Sequence, residues 1–122
     1  MFVDTHCHLH DDKIVDKEKA VEEFLRDGVG IAINAACCAK TSEMGRDLAE
    51  KFAPVYFMTG CHPSDVGGFD ELEFERISAL TAHEKCVAIG EIGLDYHWED
   101  YPSKEVQKEW FIKQMMYKNL GK

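Results

Sequence analysis

The chain has 122 residues, 45% of them apolar and 30% charged, a composition and size that exclude disordered and fibrous classes and fit one soluble globular domain. Its 14 Lys and Arg against 23 Asp and Glu leave a formal charge of −9, which argues against a protein that grips nucleic acid through a broad basic face. No apolar run approaches the roughly 18 residues of a membrane span, and the acidic start Met1-Phe2-Val3-Asp4 does not read as a signal peptide, so a cytoplasmic protein without a membrane partner is expected.

Four apolar runs of strand length alternate with helical patterns, which reads as βα units. The first run, Phe2 to Thr5, leads into His6-Cys7-His8-Leu9-His10 and a loop marked by Asp11 and Asp12. A helix follows from the N-cap Asp16, with Ala20, Val21, Phe24 and Leu25 as its apolar face and Gly28 as its stop. The second run, from Gly30 to Ala36, is apolar at successive positions, as in a parallel strand covered on both sides. The next helix begins near Thr41 or Ser42, carries Met44, Leu48 and Phe52 at helical spacing, and ends before Pro54.

The third strand is Val55 to Gly60, and a polar, glycine-bearing loop runs from Cys61 to Phe69. A third helix opens at Asp70, with Glu73 as a capping-box partner, and buries Leu72, Ile77 and Leu80. The fourth strand, Cys86 to Glu91, passes into the loop Ile92 to Trp98. A last helix starts at Pro102-Ser103, with Val106, Trp110, Phe111 and Met115 as its stripe and Met115-Met116 read as core. The strands start about 30 residues apart, the size of a βα step in a barrel, and 122 residues are about half of a barrel of roughly 250. The fold expected is therefore α/β, with parallel (βα)4 topology in a single domain over residues 1–122.

In parallel α/β architectures chemistry collects where the strands end. His6 and His8 lie there, and alternate residues of an extended chain share a face, so the pair suits one metal ion. Glu91 closes an apolar strand, a costly place for a carboxylate unless cations offset its charge; a carboxylate that bridges two divalent ions suits phosphodiester hydrolysis. His62, restricted by Pro63, is a candidate phosphate contact, or alternatively a turn residue that satisfies loop backbone. Asp95 either orients a ligand from behind or shapes its own turn. His10, His83 and His97 read as ordinary structural residues. The five cysteines, without Cys-x-x-Cys spacing, read as reduced core side chains, and Cys7 alternates away from its flanking histidines. The charge-rich segment Asp16 to Glu23 reads as a solvated helix face.

The opening Phe2-Val3-Asp4-Thr5-His6-Cys7-His8-Leu9, the segment Gly60-Cys61-His62-Pro63 and the run Gly90-Glu91-Ile92-Gly93-Leu94-Asp95-Tyr96 together resemble the TatD-related metal-dependent deoxyribonucleases, in that family's order and spacing. The resemblance implies a TIM-type metallo-dependent hydrolase barrel carrying two divalent ions (Zn, Mg or Mn). His6 and His8 would hold one ion, and Glu91 would bridge both as the catalytic carboxylate. It implies DNA as the substrate, cut at phosphodiester bonds; His62 and Asp95, on the reading of the residues themselves, are the expected substrate-binding positions. The acidic balance then fits, since bound cations hold the phosphate.

Members of that family are about twice as long, and their remaining ligands, two His and one Asp, come from later strands. The chain is therefore expected to be the N-terminal half of such a barrel, weakly active or inactive by itself and prone to self-association through its exposed sheet edges. The alternatives are a short non-catalytic metal-binding or interaction module and a complete doubly wound domain of the flavodoxin type. The latter is disfavoured by the histidines that stand where a glycine-rich phosphate loop would be.

Overall fold

The computed structural model describes residues 1–117. Four parallel strands, β1 (Phe2–Cys7), β2 (Val29–Asn34), β3 (Val55–Thr59) and β4 (Cys86–Ile89), alternate with α1 (Lys17–Arg26), α2 (Ala39–Lys51), α3 (Glu71–Leu80) and α4 (Lys104–Met115). A short 3-10 turn, Val66–Gly68, precedes α3. The expected strand starts are met within one residue, because each strand is a short β-branched or aromatic run closed by turn residues. Local signals also set the helix starts: the Asp16, Asp70 and Ser103 side chains accept from the backbone N–H of Lys19, Glu73 and Val106. Gly28, at φ +92°, turns the chain out of α1 and into β2.

The strand order is β1-β2-β3-β4, with every neighbouring pair parallel. Right-handed crossovers between successive neighbours place the helices on one face of the sheet, and α1, α2 and α3 pack there. A doubly wound domain must reverse its strand order to cover both faces, so the flavodoxin-type alternative is excluded and the architecture is a partial barrel.

The helix-side face is the core. Along β3, Val55, Phe57 and Thr59 are buried while Tyr56 and Met58, on the opposite face, are half-buried. β2 shows the same division, with Ala32 and Asn34 buried and Ile31 and Ile33 half-buried. The expectation that β2 is covered on both sides is corrected here, and β4 is open on the same side. The second face has no helix over it among the described residues, and Val87 on β4 is 45% exposed. Two clusters fill the helix side. One joins Leu9, Val21, Val55, Phe57, Leu80 and Cys86. The other joins Ala39, Cys61, Val66, Phe69, Ile77 and Trp110 under the β3–α3 loop.

Several expected packing faces differ. α2 buries Ala39, Ser42, Gly45 and Ala49, while Met44, Leu48 and Phe52 lie at its flank. It also begins earlier than expected, with Cys38 as N-cap. Small residues face the sheet because the helix lies close to it: a Cβ on Gly45 would sit 2.9 Å from Asn34 Nδ2 and 3.2 Å from Phe57 Cβ. Gly45→Ala therefore tests the packing against propensity. Helix propensity alone favours Ala by about 1 kcal/mol, but overpacking costs about 1–3 kcal/mol. A lower urea midpoint is expected, and a midpoint that is unchanged or raised would contradict the close approach.

Leu25 and Leu72, expected in the core, are 45% and 65% exposed. Met115 and Met116 are also exposed, and the buried positions of α4 are Gln107, Trp110 and Gln114. α4 does not lie on the sheet; it packs its polar-centred face on the loops that leave β3 and β4.

Candidate metal centre

Although β1 and β4 are the two edges of the sheet, their ends approach each other. Three strand spacings in a flat sheet would separate them by roughly 14 Å. Instead His6 Nε2 lies 3.6 Å from Glu91 Oε1 and His8 Nε2 lies 4.0 Å from Glu91 Oε2. The sheet is rolled, and these side chains project into its concavity. The main chain fixes this closure. Ala35 N–H donates to Cys7 carbonyl at 2.8 Å, and Glu91 N–H donates to the carbonyl of the adjacent Ala36 at 2.6 Å. Both alanines are fully buried, so two consecutive small residues at the end of β2 tie the histidine strand to the glutamate.

Gly60 is required by the same closeness, since it abuts main chain, whereas Gly90 abuts only the flexible end of Met58. A Cβ on Gly60 would meet the Gly90 carbonyl carbon at 2.7 Å, and one on Gly90 would meet Met58 Sδ at 2.7 Å. Gly90 N–H donates to Thr59 carbonyl, and the Gly90–Glu91 peptide bond is cis.

Glu91 is 27% exposed in its side chain, and His6 and His8 are about half exposed. One ligand atom from each of the three lies within 4.8 Å of the others. Ligand atoms at about 2.0–2.1 Å from a zinc-type ion stand about 3.0–3.4 Å apart, so small rotamer changes bring this two-imidazole, one-carboxylate set to ligating distance. The imidazole rings meet edge to face at 5.0 Å. Cys7 takes no part: its thiol, pushed up in pKa by burial, faces Ile33 carbonyl at 3.4 Å and packs against the core.

His62 and Asp95 are not in this donor cluster. His62 Nδ1 accepts the Ser64 N–H at 3.1 Å and meets Ser64 Oγ at 2.7 Å. A backbone N–H can only donate, so neutral His62 carries its proton on Nε2 and offers an N–H donor. Asp95 Oδ1 accepts His97 N–H at 3.0 Å, the self-made turn that was one of its two readings. His10, read as ordinary, sits on Asn34: Oδ1 of that buried amide accepts His10 N–H and faces its Nδ1, both at 3.1 Å. The His10 ring meets His8 edge-on at 5.6 Å, so Asn34 steadies the ring beside a candidate ligand.

The sequence reading also missed two glutamines on the buried face of α4. Gln114 brackets the peptide of Cys61, its Oε1 accepting Cys61 N–H at 2.6 Å and its Nε2 donating to Cys61 carbonyl at 3.2 Å. Gln107 does the same for Asp95, at 2.8 and 3.0 Å, and also donates to Pro102 carbonyl at 2.8 Å. One helix thus fixes the main chain beside His62 and at Asp95. The signal was present: polar residues seven apart, in register with Trp110, occupy a face that helical periodicity marks as buried.

Among known proteins, the family model described as TatD related DNase matches residues 3–117. An uncharacterized metal-dependent hydrolase of Bacillus subtilis, YabD, is 36% identical over 116 residues, 94% of this chain and 45% of that protein. A 3'-5' ssDNA/RNA exonuclease, TatD, of Shigella flexneri is 27% identical over 100 residues, 82% of this chain and 38% of that protein. The crystal structure of YjjV, a TatD homologue from Escherichia coli, superposes with a TM-score of 0.84 at 32% identity, covering 93% of this chain and 45% of that one. The chain spans about half the length of the curated relatives it matches.

Proposed function

The chain belongs to the family of TatD-related DNases, and from that premise we propose that it is the N-terminal half of a metal-dependent phosphodiesterase barrel acting on DNA. The observation that carries this reading is the convergence of His6, His8 and Glu91 at the strand ends, on the concave side of a rolled parallel sheet. His6 and His8 would hold one divalent ion through their imidazoles, and Glu91, with one oxygen toward each histidine, would supply the carboxylate beside them and could reach a second ion. Two imidazoles suit Zn²⁺ or Mn²⁺ better than Mg²⁺, which prefers oxygen ligands. Divalent cations bound here supply Lewis-acid stabilisation of phosphoryl oxygens and activation of water at neutral pH.

The residues of the chain itself do the positioning. Glu91 holds its carboxylate between the two edge strands because its own N–H is fixed on Ala36. His62, its ring held by Nδ1 on Ser64, is a donor for a phosphate oxygen. Asp95 serves through the turn it closes on His97, which sets the path of the loop after Glu91. The net charge of −9 does not oppose a nucleic-acid end, because cations at the site, not a basic surface, neutralise the phosphate.

The rest of the barrel has an evident place on this half. Ile31, Ile33, Tyr56 and Met58 line a face that no described helix covers, and β1 and β4 are unpaired edges of the sheet. A second (βα)4 half covers both in one step, and without it two copies of the chain pair through the same edges. The 122-residue chain alone is accordingly a weak metal binder with little turnover. The test is cleavage of an end-labelled single-stranded oligonucleotide. Chelator-sensitive cutting by the completed barrel, and little by the chain alone, is expected. Metal-stimulated cutting by the isolated chain at enzyme-like rates, lost in Glu91→Ala, would overturn the claim that the half is insufficient.

A further inference from the structure

The turn between β2 and α2 carries two adjacent cysteines that the metal centre does not use. Neighbouring side chains of an extended chain face opposite ways, and Cys38 is extended at φ −159° and ψ 176°. Even so, both thiols reach one atom: Thr41 Oγ1 lies 3.6 Å from Cys37 Sγ and 3.5 Å from Cys38 Sγ. The same hydroxyl oxygen accepts the N–H of Cys37 at 2.9 Å and of Cys38 at 3.1 Å, and it donates to Cys38 carbonyl at 3.2 Å. One side chain from the first turn of α2 thus gathers both thiols and fixes the main chain that carries them. Both cysteines are half-buried, whereas Cys61 and Cys86 are buried and Cys7 faces Ile33 carbonyl. The turn also holds two loops of the metal centre. Cys37 carbonyl accepts His62 N–H at 2.9 Å, and the carbonyl of the preceding Ala36 accepts Glu91 N–H at 2.6 Å.

We infer that Cys37 and Cys38 form a vicinal dithiol site for a thiophilic centre that bonds two sulfurs, trivalent arsenic being the type, and that its occupancy is felt at His62 and Glu91. The donor count selects this class. Tetrahedral Zn²⁺ takes four ligands, and among the described residues three donors converge at His6, His8 and Glu91, not here. A direct disulfide is disfavoured by spacing: adjacent Cα atoms stand about 3.8 Å apart, below the roughly 4.4–6.8 Å that disulfides span. A single bridging atom lengthens the link and relieves that constraint. Burial raises the Cys37 thiol above its ordinary pKa, which slows thiolate routes such as exchange and oxidation. Condensation with an organic arsonous acid, an arsenic carrying two hydroxyls, starts from the thiols themselves. Two As–O and two S–H bonds break, two As–S bonds form, two waters leave, and no oxidation state changes. The new link moves both sulfurs off Thr41, so the turn that holds His62 and Glu91 N–H shifts with it.

The test incubates the folded 122-residue chain with phenylarsine oxide, which hydrates to such an acid, and follows the adduct by intact-protein mass spectrometry. One phenylarsenic group per chain is expected, held against excess mercaptoethanol and released by dithiothreitol. Cys37→Ser and Cys38→Ser are each expected to lower the affinity roughly a hundredfold, as removal of one of two tethered contacts does. Serine is close to cysteine in size and is a preferred N-cap residue for position 38, so the fold survives both changes. Cys7→Ser and Cys61→Ala are expected to leave retention unchanged. In proton–nitrogen correlation spectra the amide signals of His62 and Glu91 are expected to move when the adduct forms. A native chain that retains no adduct, or retention that survives either Cys37→Ser or Cys38→Ser, overturns the site. Amide signals of His62 and Glu91 that both stay in place overturn its coupling to the metal centre.

Discussion

Replacing Glu91 by alanine is expected to lower metal-dependent phosphodiester hydrolysis by the completed barrel by about a thousandfold, roughly 4 kcal/mol of lost transition-state stabilisation. The size follows from position. Glu91 is the carboxylate of the donor cluster, its two oxygens facing His6 and His8 at 3.6 and 4.0 Å, so its removal takes the anionic ligand from the proposed metal site. Stability should move the other way or not at all. The side chain makes no hydrogen bond that holds the described fold together, and its closest neighbours are His6 and His8. The backbone bond from Glu91 N–H to Ala36 is retained by alanine. A Glu91→Ala protein with near-normal turnover would remove Glu91 from the chemistry, and one that failed to fold would show that the carboxylate is structural. Circular dichroism beside a cleavage assay separates the two.

Gln114→Ala is expected to act in the opposite sense, costing stability. It strands the N–H and the carbonyl of Cys61, both bracketed by Gln114 in a fully buried setting. Each unsatisfied buried backbone group costs about 1–3 kcal/mol, and the deleted side chain leaves a void as well. A loss of about 3 kcal/mol is expected, read as a fall of order 1 M in the urea midpoint. Gln114→Leu, which fills the void but cannot bond, should recover only part of it. A loss below about 0.5 kcal/mol in Gln114→Ala would mean that water or a shifted loop satisfies Cys61, and that α4 does not anchor the His62 segment. The same loosening should reach Cys61 itself, whose thiol is raised in pKa by burial and is expected to resist alkylation while the protein is folded.

These two residues mark the boundary of what local sequence conveys. Glu91, His6 and His8 were legible because strand ends are locatable from apolar runs and because alternation in a strand places His6 and His8 on one face. The topology was legible in outline for the same reason: short strands, capped helices and a spacing near 30 residues leave few parallel arrangements. The burial of Gln114 is legible from its register with Trp110, but its role is not, because its partner Cys61 is 53 residues away and no local rule connects them. The buried face of α2 was missed for a different reason. Its packing residues are Ala39, Ser42, Gly45 and Ala49, and small side chains carry little hydrophobic signal although they permit the closest approach. Met115 and Met116 misled in the reverse direction: they look like core, yet α4 packs on two loops through amides and Trp110. The half-exposed Ile31 and Ile33 read as doubly covered because their run is apolar throughout, whereas no described helix lies over their face.

The central claim is that His6, His8 and Glu91 hold a divalent cation, and calorimetric titration of the 122-residue chain with Zn²⁺ tests it most directly. Saturable binding is expected, with His6→Ala weakening it at least tenfold and roughly a hundredfold at the upper end. An affinity unchanged by His6→Ala would contradict the site and, with it, the assignment of the histidine pair as ligands.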